Sequence, residues 1–264
     1  MSTLVWIILF TLAGGVLSAL VASFFLLFNT PTRQRLLPHF VSFAIGALLG
    51  AALLGLIPHA LEAAGIHAVH GIGLAVALGI LLFFVLEKAV IWRHCHTTNC
   101  EAHTPEPAHA HAHAQNAVLG RFILVGDGIH NFFDGVLIGA AFLTDTHLGI
   151  VTALAVIAHE IPQEVGDVAV LLNSGLSRLK AFNWNMAVGF TTVLGGLAAY
   201  FALEQMRPAL PYVLAVAAGS FIYVAVADLI PGLHRRTEAA AGVWQVVFIA
   251  AGLGLILASH SILH

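Results

Sequence analysis

Residues 126–135 read Gly126-Asp127-Gly128-Ile129-His130-Asn131-Phe132-Phe133-Asp134-Gly135, inside an otherwise apolar run from 117 to 143. Asp127, His130, Asn131 and Asp134 fall at i, i+3, i+4 and i+7, so one helix face carries all four polar groups. The next apolar run, 148–173, holds a matching insertion, His159-Glu160-Ile161-Pro162-Gln163-Glu164-Val165-Gly166-Asp167. His159, Gln163 and Glu164 share a stripe there, with Glu160 and Asp167 at its edge. Each run exceeds the roughly 20 apolar residues that cross a bilayer. The decisive reading is therefore a pair of neighbouring membrane helices with ionisable groups at membrane depth.

Working outward, these two runs belong to a set of eight, at 4–28, 39–61, 71–91, 117–143, 148–173, 182–203, 210–232 and 242–260. Hydrophobic residues make up 59% of the 264 and charged residues 9%, against about 25% charged in an ordinary globular chain. Mean hydropathy is +0.95. Those figures exclude a soluble globule, a disordered chain, collagen, a coiled coil and a nucleic-acid binder. The first run lacks a basic leading segment and is too long for a signal-peptide core. The expectation is an all-α membrane protein forming a single transmembrane domain over 1–264, with a His-rich loop at 92–116.

The cations orient it. Arg33 and Arg35 follow the first run, Lys88, Arg93 and Arg121 flank the third connection, Arg178 and Lys180 follow the fifth run, and Arg235 and Arg236 follow the seventh. Only Arg207 lies on the other side. The positive-inside rule puts the odd connections in the cytoplasm and both termini outside. The expected location is the plasma (inner) membrane of a prokaryote.

An internal repeat accompanies this alternation. Displaced by 173 residues, Pro38, Ala44, Gly46, Ala52, Leu56, Ile57 and Pro58 meet Pro211, Ala217, Gly219, Ala225, Leu229, Ile230 and Pro231. The two segments cross in opposite directions, so the repeat is inverted, as in many secondary transporters with a midplane site. Spans one to three and six to eight form the halves, and spans four and five lie between them, a 3+2+3 arrangement.

The central pair then carries the chemistry. Asp127, Asp134, Glu160, Glu164 and Asp167 are five carboxylates, with no Lys or Arg between 122 and 177. A lone charge at mid-bilayer costs about 2.5–3.5 kcal/mol on insertion scales. Five carboxylates beside two imidazoles call for a cation, and His, carboxylate and amide donors suit Zn²⁺, Fe²⁺ or Mn²⁺. Candidate ligands are His130, Asn131, Asp134, His159, Glu160, Gln163 and Glu164. Asp127, Asp167, His59 and Asp228 are candidate pathway residues. Pro162 has no N–H, so it can kink its helix and free the Ala158 carbonyl. Gly135 and Gly139 form a small-residue stripe that admits another helix.

His130-Asn131-x-x-Asp134-Gly135 followed by His159-Glu160-x-Pro162 resembles the signature of the ZIP (Zrt/Irt-like) family of divalent metal transporters. The tail Glu164-Val165-Gly166-Asp167, with Asp127 upstream of His130, is similar to the LIV-1 branch. The resemblance implies a two-metal site, with His130, Asp134, His159 and Gln163 at one position. Asn131, Glu160 and a shared carboxylate would make the other. It also implies Zn²⁺ as transported ion, with Fe²⁺, Mn²⁺ or Cd²⁺ as alternatives and no organic cofactor. Movement would be toward the cytoplasm by an elevator motion of spans 1, 4, 5 and 6 past spans 2, 3, 7 and 8. A homodimer in the lipid bilayer is implied too. Three positions depart from the branch pattern: Gln163 stands where a second His is usual, and Ala51 and Gly55 replace Asp and His in span two. Some other members of the family carry a Glu in span six, and none stands between Ala181 and Leu203 here.

The third connection contains His94, Cys95, His96, Cys100 and His103, then His109, His111 and His113 in an Ala-His run. Cytoplasmic thiols stay reduced, so these residues read as a metal-buffering or sensing loop, or as a solvated linker. The competing functional class is an intramembrane zinc-dependent hydrolase or protease. His-Glu-x-x-His on a helix would mark it, but the fifth position here is Gln163. The expectation is a transporter and not an enzyme.

Overall fold

The computed structural model describes residues 2–94, 112–234 and 239–263, with backbone alone at 89–94, 112–123, 173, 239–240 and 260–263. Eight long helices account for the described chain: α1 (Thr3–Phe25), α2 (Thr30–Ala64), α3 (Val69–His94), α4 (Ala112–Thr144), α5 (Thr146–Asn173), α6 (Arg178–Leu203), α7 (Arg207–His234) and α8 (Ala239–Leu263). Among the described residues, seven meet the length and hydropathy of a membrane span. The eighth, α4, has two aspartates inside its apolar run. The protein is an all-α membrane protein.

Short polar turns set the boundaries. Asn29 accepts from the Thr32 amide at 3.0 Å and caps α2. Asp145 accepts from the amides of His147 and Leu148 at 2.8 and 3.0 Å and caps α5. Ser177 caps α6. Each oxygen satisfies an N–H that has no intrahelical partner. Gly65 and Gly175 leave the ends of α2 and α5 at φ of +80° and +91°, a conformation a Cβ disfavours.

One boundary departs widely from the hydropathy reading. The span expected over 39–61 begins at Thr30, because Pro31 fits a first helical turn where its missing N–H costs nothing. Arg33 and Arg35 therefore lie on α2 itself and not in a connection. Pro162 sits within the continuous helix α5.

The repeat governs the packing. α1 packs antiparallel on α6, with Ile7 and Thr11 against Gly196 and Gly15 against Gly189. These two helices are counterparts in the repeat, so their opposed directions make it inverted. Gly46 on α2 abuts the Ile249 carbonyl of α8, and Gly219 on α7 abuts the Val76 carbonyl of α3. Gly252 meets the Phe43 carbonyl, and Gly79 meets the Val216 carbonyl. Every residue in one set maps on the other at the 173-residue displacement. The repeat therefore extends through α3 and α8, beyond the segment where sequence identity shows it.

A wide π turn at Ala51–Leu56 in α2 has its counterpart at Val224–Leu229 in α7, again displaced by 173. Pro58 and Pro231 follow closely. A proline ring clashes with the carbonyl four residues back and cannot donate, and widening the preceding turn accommodates both defects. The duplicated proline thus explains the duplicated π turn, which in α7 contains Asp228.

Candidate metal centre

α4 and α5 lie side by side, and α4 is locked against α6 by small residues. Gly135 meets the Thr192 carbonyl, Gly195 meets the Phe132 carbonyl, and Gly139 meets Ala199. The small-residue stripe expected at Gly135 and Gly139 is therefore the α4–α6 contact. This close approach brings the polar face of α4 under α6, and Thr192 donates to Asn131 Oδ1 at 2.7 Å.

Four donor groups converge between α4 and α5. The potential ligand atoms of His130, Asp134, His159 and Glu160 all lie within 4.8 Å of one another. His159 Nε2 is 3.0 Å from Asp134 Oδ2 and 3.6 Å from Glu160 Oε1. His130 Nε2 is 3.8 Å from Asp134 Oδ2, 3.5 Å from Glu160 Oε1 and 3.3 Å from His159 Nε2. A tetrahedron with centre-to-ligand distances of about 2.0–2.1 Å has edges of roughly 3.3–3.4 Å. These five edges scatter around that value.

The chemistry fits as well as the spacing. His159 Nδ1 lies 3.0 Å from the Ala155 carbonyl. That oxygen can only accept, so Nδ1 carries the proton and Nε2 turns its lone pair to the cluster. Asp134 Oδ2 and both Glu160 oxygens are buried without hydrogen-bond partners. Two imidazole nitrogens and two carboxylates form a borderline donor set suited to Zn²⁺. Asp134, His159 and Glu160 are almost fully buried, whereas the His130 side chain keeps 16% of its surface accessible. Phe83 lies against the His130 ring and Phe221 against the His159 ring, so the cluster has apolar walls.

The remaining expected residues occupy different places. Asn131 is buried, accepts from Thr192, and donates to Asp127 Oδ1 at 3.1 Å. Gln163 also donates to Asp127 Oδ1, at 3.5 Å. Glu164 is fully buried, and neither of its oxygens has a hydrogen-bond partner. Asp167 is half-buried near Asp127. Asp228 is exposed, within electrostatic reach of Glu87 and His159. His59 Nδ1 lies 2.9 Å from the Gly55 carbonyl, at a small cavity that His147 also lines. The side chains of His94 and His113, and all of Cys95, His96, Cys100, His103, His109 and His111, lie outside the described residues. Thr192 and Asn185, both fully buried on α6, were not anticipated. No pattern within α6 distinguishes them.

The comparisons agree with this geometry. The family model described as ZIP Zinc transporter matches residues 2–117 and 92–260. The zinc transporter SLC39A7 of Mus musculus is 30% identical over 90% of this chain and 67% of its own length. The zinc transporter ZIP4 of Mus musculus is 32% identical over 74% of this chain but 38% of its own length. The zinc transporter ZIP13 of Pongo abelii is 30% identical over 82% of this chain and 65% of its own. The chain thus spans between about two fifths and two thirds of these animal relatives, none of which points to the prokaryotic membrane expected above. With a family match covering nearly every residue, the chain belongs to the ZIP zinc transporter family.

Proposed function

We propose that the protein carries divalent transition-metal cations, foremost Zn²⁺, across a membrane through a two-metal pathway between α4 and α5. The observation that carries this reading is the convergence of His130, Asp134, His159 and Glu160, whose potential ligand atoms lie within 4.8 Å of one another between two apolar helices. In this reading a hydrated ion exchanges its waters for two imidazoles and two carboxylates, and His130, the accessible member, meets it first. Dry aromatic walls strengthen those contacts relative to water. Protonation of the ligands, which competes with metal, aids release.

The carrier is proposed to work as an elevator. The supporting contacts are the small-residue seams that join α4 to α6 and α1 to α6, and those that join α2 to α8 and α3 to α7. The first group moves with the ion, and the second stays fixed. Termini outside, transport toward the cytoplasm, and a homodimer complete the proposal, together with the single domain over 1–264 and its metal-buffering loop at 92–116. The relatives' printed names as zinc transporters favour carriage over hydrolysis.

Proteoliposome uptake with Zn²⁺, Fe²⁺, Mn²⁺ and Cd²⁺ in competition, with and without a pH gradient, tests the reading. Saturable Zn²⁺ uptake that Cd²⁺ inhibits is expected. Lipid or peptide turnover without ion uptake would overturn it in favour of an enzyme.

A further inference from the structure

The two imidazoles of the cluster are oriented in different ways. His159 Nδ1 lies 3.0 Å from the Ala155 carbonyl, one turn back on its own helix. That contact fixes the ring and leaves Nε2 for the cluster. His130 also turns Nε2 to the cluster. Its Nδ1, however, makes no hydrogen bond among the described residues. A metal-ligating histidine almost always donates its second ring N–H to a partner that holds the ring. Rotation of an imidazole about its last side-chain bond has only broad preferences, so His130 needs a brace of another kind.

Ring contacts supply it. Phe83 of α3 is buried and stands edge-to-face with His130, with centroids 5.8 Å apart and planes at 79°. The His159 ring lies on His130 as well, with centroids 5.6 Å apart and planes at 88°. Phe83 also meets Phe133, 6.1 Å away at 63°, and Phe133 follows His130 by about one turn of α4. Phe83 is thus wedged between two rings of α4. These separations fall in the range of about 4.5–7 Å at which aromatic pairs attract. Phe221 of α7 meets the His159 ring at 6.1 Å and 64°, but the Ala155 carbonyl already holds that ring. The two aromatic walls are therefore not equivalent.

We propose that Phe83 is a positioning residue for the transported ion: it holds the His130 imidazole with Nε2 aimed into the cluster, in place of the hydrogen bond that His130 lacks. The proposal rests on reading the cluster as the ion's site, and it deepens that reading by naming a residue outside the ligands that sets affinity. The brace comes from α3, and the proposed elevator carries α4 past α3. Movement of α4 withdraws the brace and loosens the hold of His130 on the ion. A neighbouring helix, rather than the ligands alone, then governs how tightly the ion is held.

The test is a double-mutant cycle on the purified full-length protein in lipid nanodiscs. Zn²⁺ affinity is read by competition with a chelator, and Co²⁺ absorption reports the coordination. Phe83→Leu should weaken Zn²⁺ binding by roughly 2–12-fold, the range that one aromatic pair supplies, and should alter the Co²⁺ bands. In a His130→Ala background, Phe83→Leu should weaken binding no further. Phe83→Met should match Phe83→Leu, and Phe221→Leu should weaken binding less than either. Unchanged affinity in both Phe83 variants would overturn the inference. So would an equal loss with and without His130, or an equal loss from Phe221→Leu, since each marks general packing. Failure of both Phe83 variants to remain monodisperse would overturn it too, by making Phe83 a residue of folding. Zn²⁺ affinity unaffected by His130→Ala alone would instead overturn the reading of the cluster.

Discussion

His159 Nε2 lies 3.0 Å from Asp134 Oδ2, across the interface between α5 and α4. With His159 Nδ1 already directed at the Ala155 carbonyl, this contact joins a lone pair to a carboxylate, which neither partner satisfies alone. A shared cation satisfies both. Asp134→Asn keeps the side-chain volume and removes the charge. Zinc affinity should fall by at least the roughly 10–100-fold that follows loss of an outer partner, measured by competition with a fluorescent chelator. Unchanged affinity would remove Asp134 from the ligand set.

The hydroxyl of Thr192 supports the site from α6. Thr192→Val leaves the buried Asn131 Oδ1 without its donor, at a cost of about 1–3 kcal/mol. The thermal midpoint in detergent should drop, and Thr192→Ser should restore it. Equal midpoints for the Val and Ser variants would show that the 2.7 Å contact contributes nothing.

The inverted packing predicts matched effects at symmetric positions. A Cβ at Gly46 meets the Ile249 backbone, and one at Gly219 meets the Val76 backbone. Gly46→Ala and Gly219→Ala should destabilise by similar amounts, about 1–3 kcal/mol for overpacking. Gly166→Ala, where nothing lies within 4 Å, should be tolerated. Thermal melts of the three variants compare them directly, and a harmless Gly46→Ala would deny the close approach of α2 and α8.

Orientation is open to a simple labelling experiment. Cys95 and Cys100, the only two cysteines, fall in the third connection, which the proposed orientation puts in the cytoplasm. A membrane-impermeant maleimide should label the protein only after permeabilisation. Labelling in intact cells would place that connection, and with it the termini, on the opposite sides.

Much of the architecture is legible in sequence because the bilayer imposes it. Apolar length defines the spans, and periodicity puts His130 and Asp134 on one face. Helix ends were less legible, since hydropathy does not register a polar first turn such as Thr30–Arg35, which Asn29 and Pro31 permit. The grouping of side chains was legible in part: His130, Asp134 and His159 converge with Glu160, whereas Gln163, expected beside the first three, turns its amide to Asp127. The part played by Thr192 was invisible because it arises from α6 packing on α4, a tertiary relation with no local signal. The repeat was visible only where prolines repeat. Its continuation through Gly79 and Gly252 emerged from backbone contacts that many different sequences would satisfy.

The central claim is that the cluster on α4 and α5 is the route of the ion. Radiolabelled zinc uptake into proteoliposomes, comparing the unmodified protein with His159→Ala at equal reconstitution, tests it most directly. The account predicts saturable uptake by the former and background uptake by the latter. Uptake by His159→Ala at the unmodified rate and half-saturating concentration would contradict it.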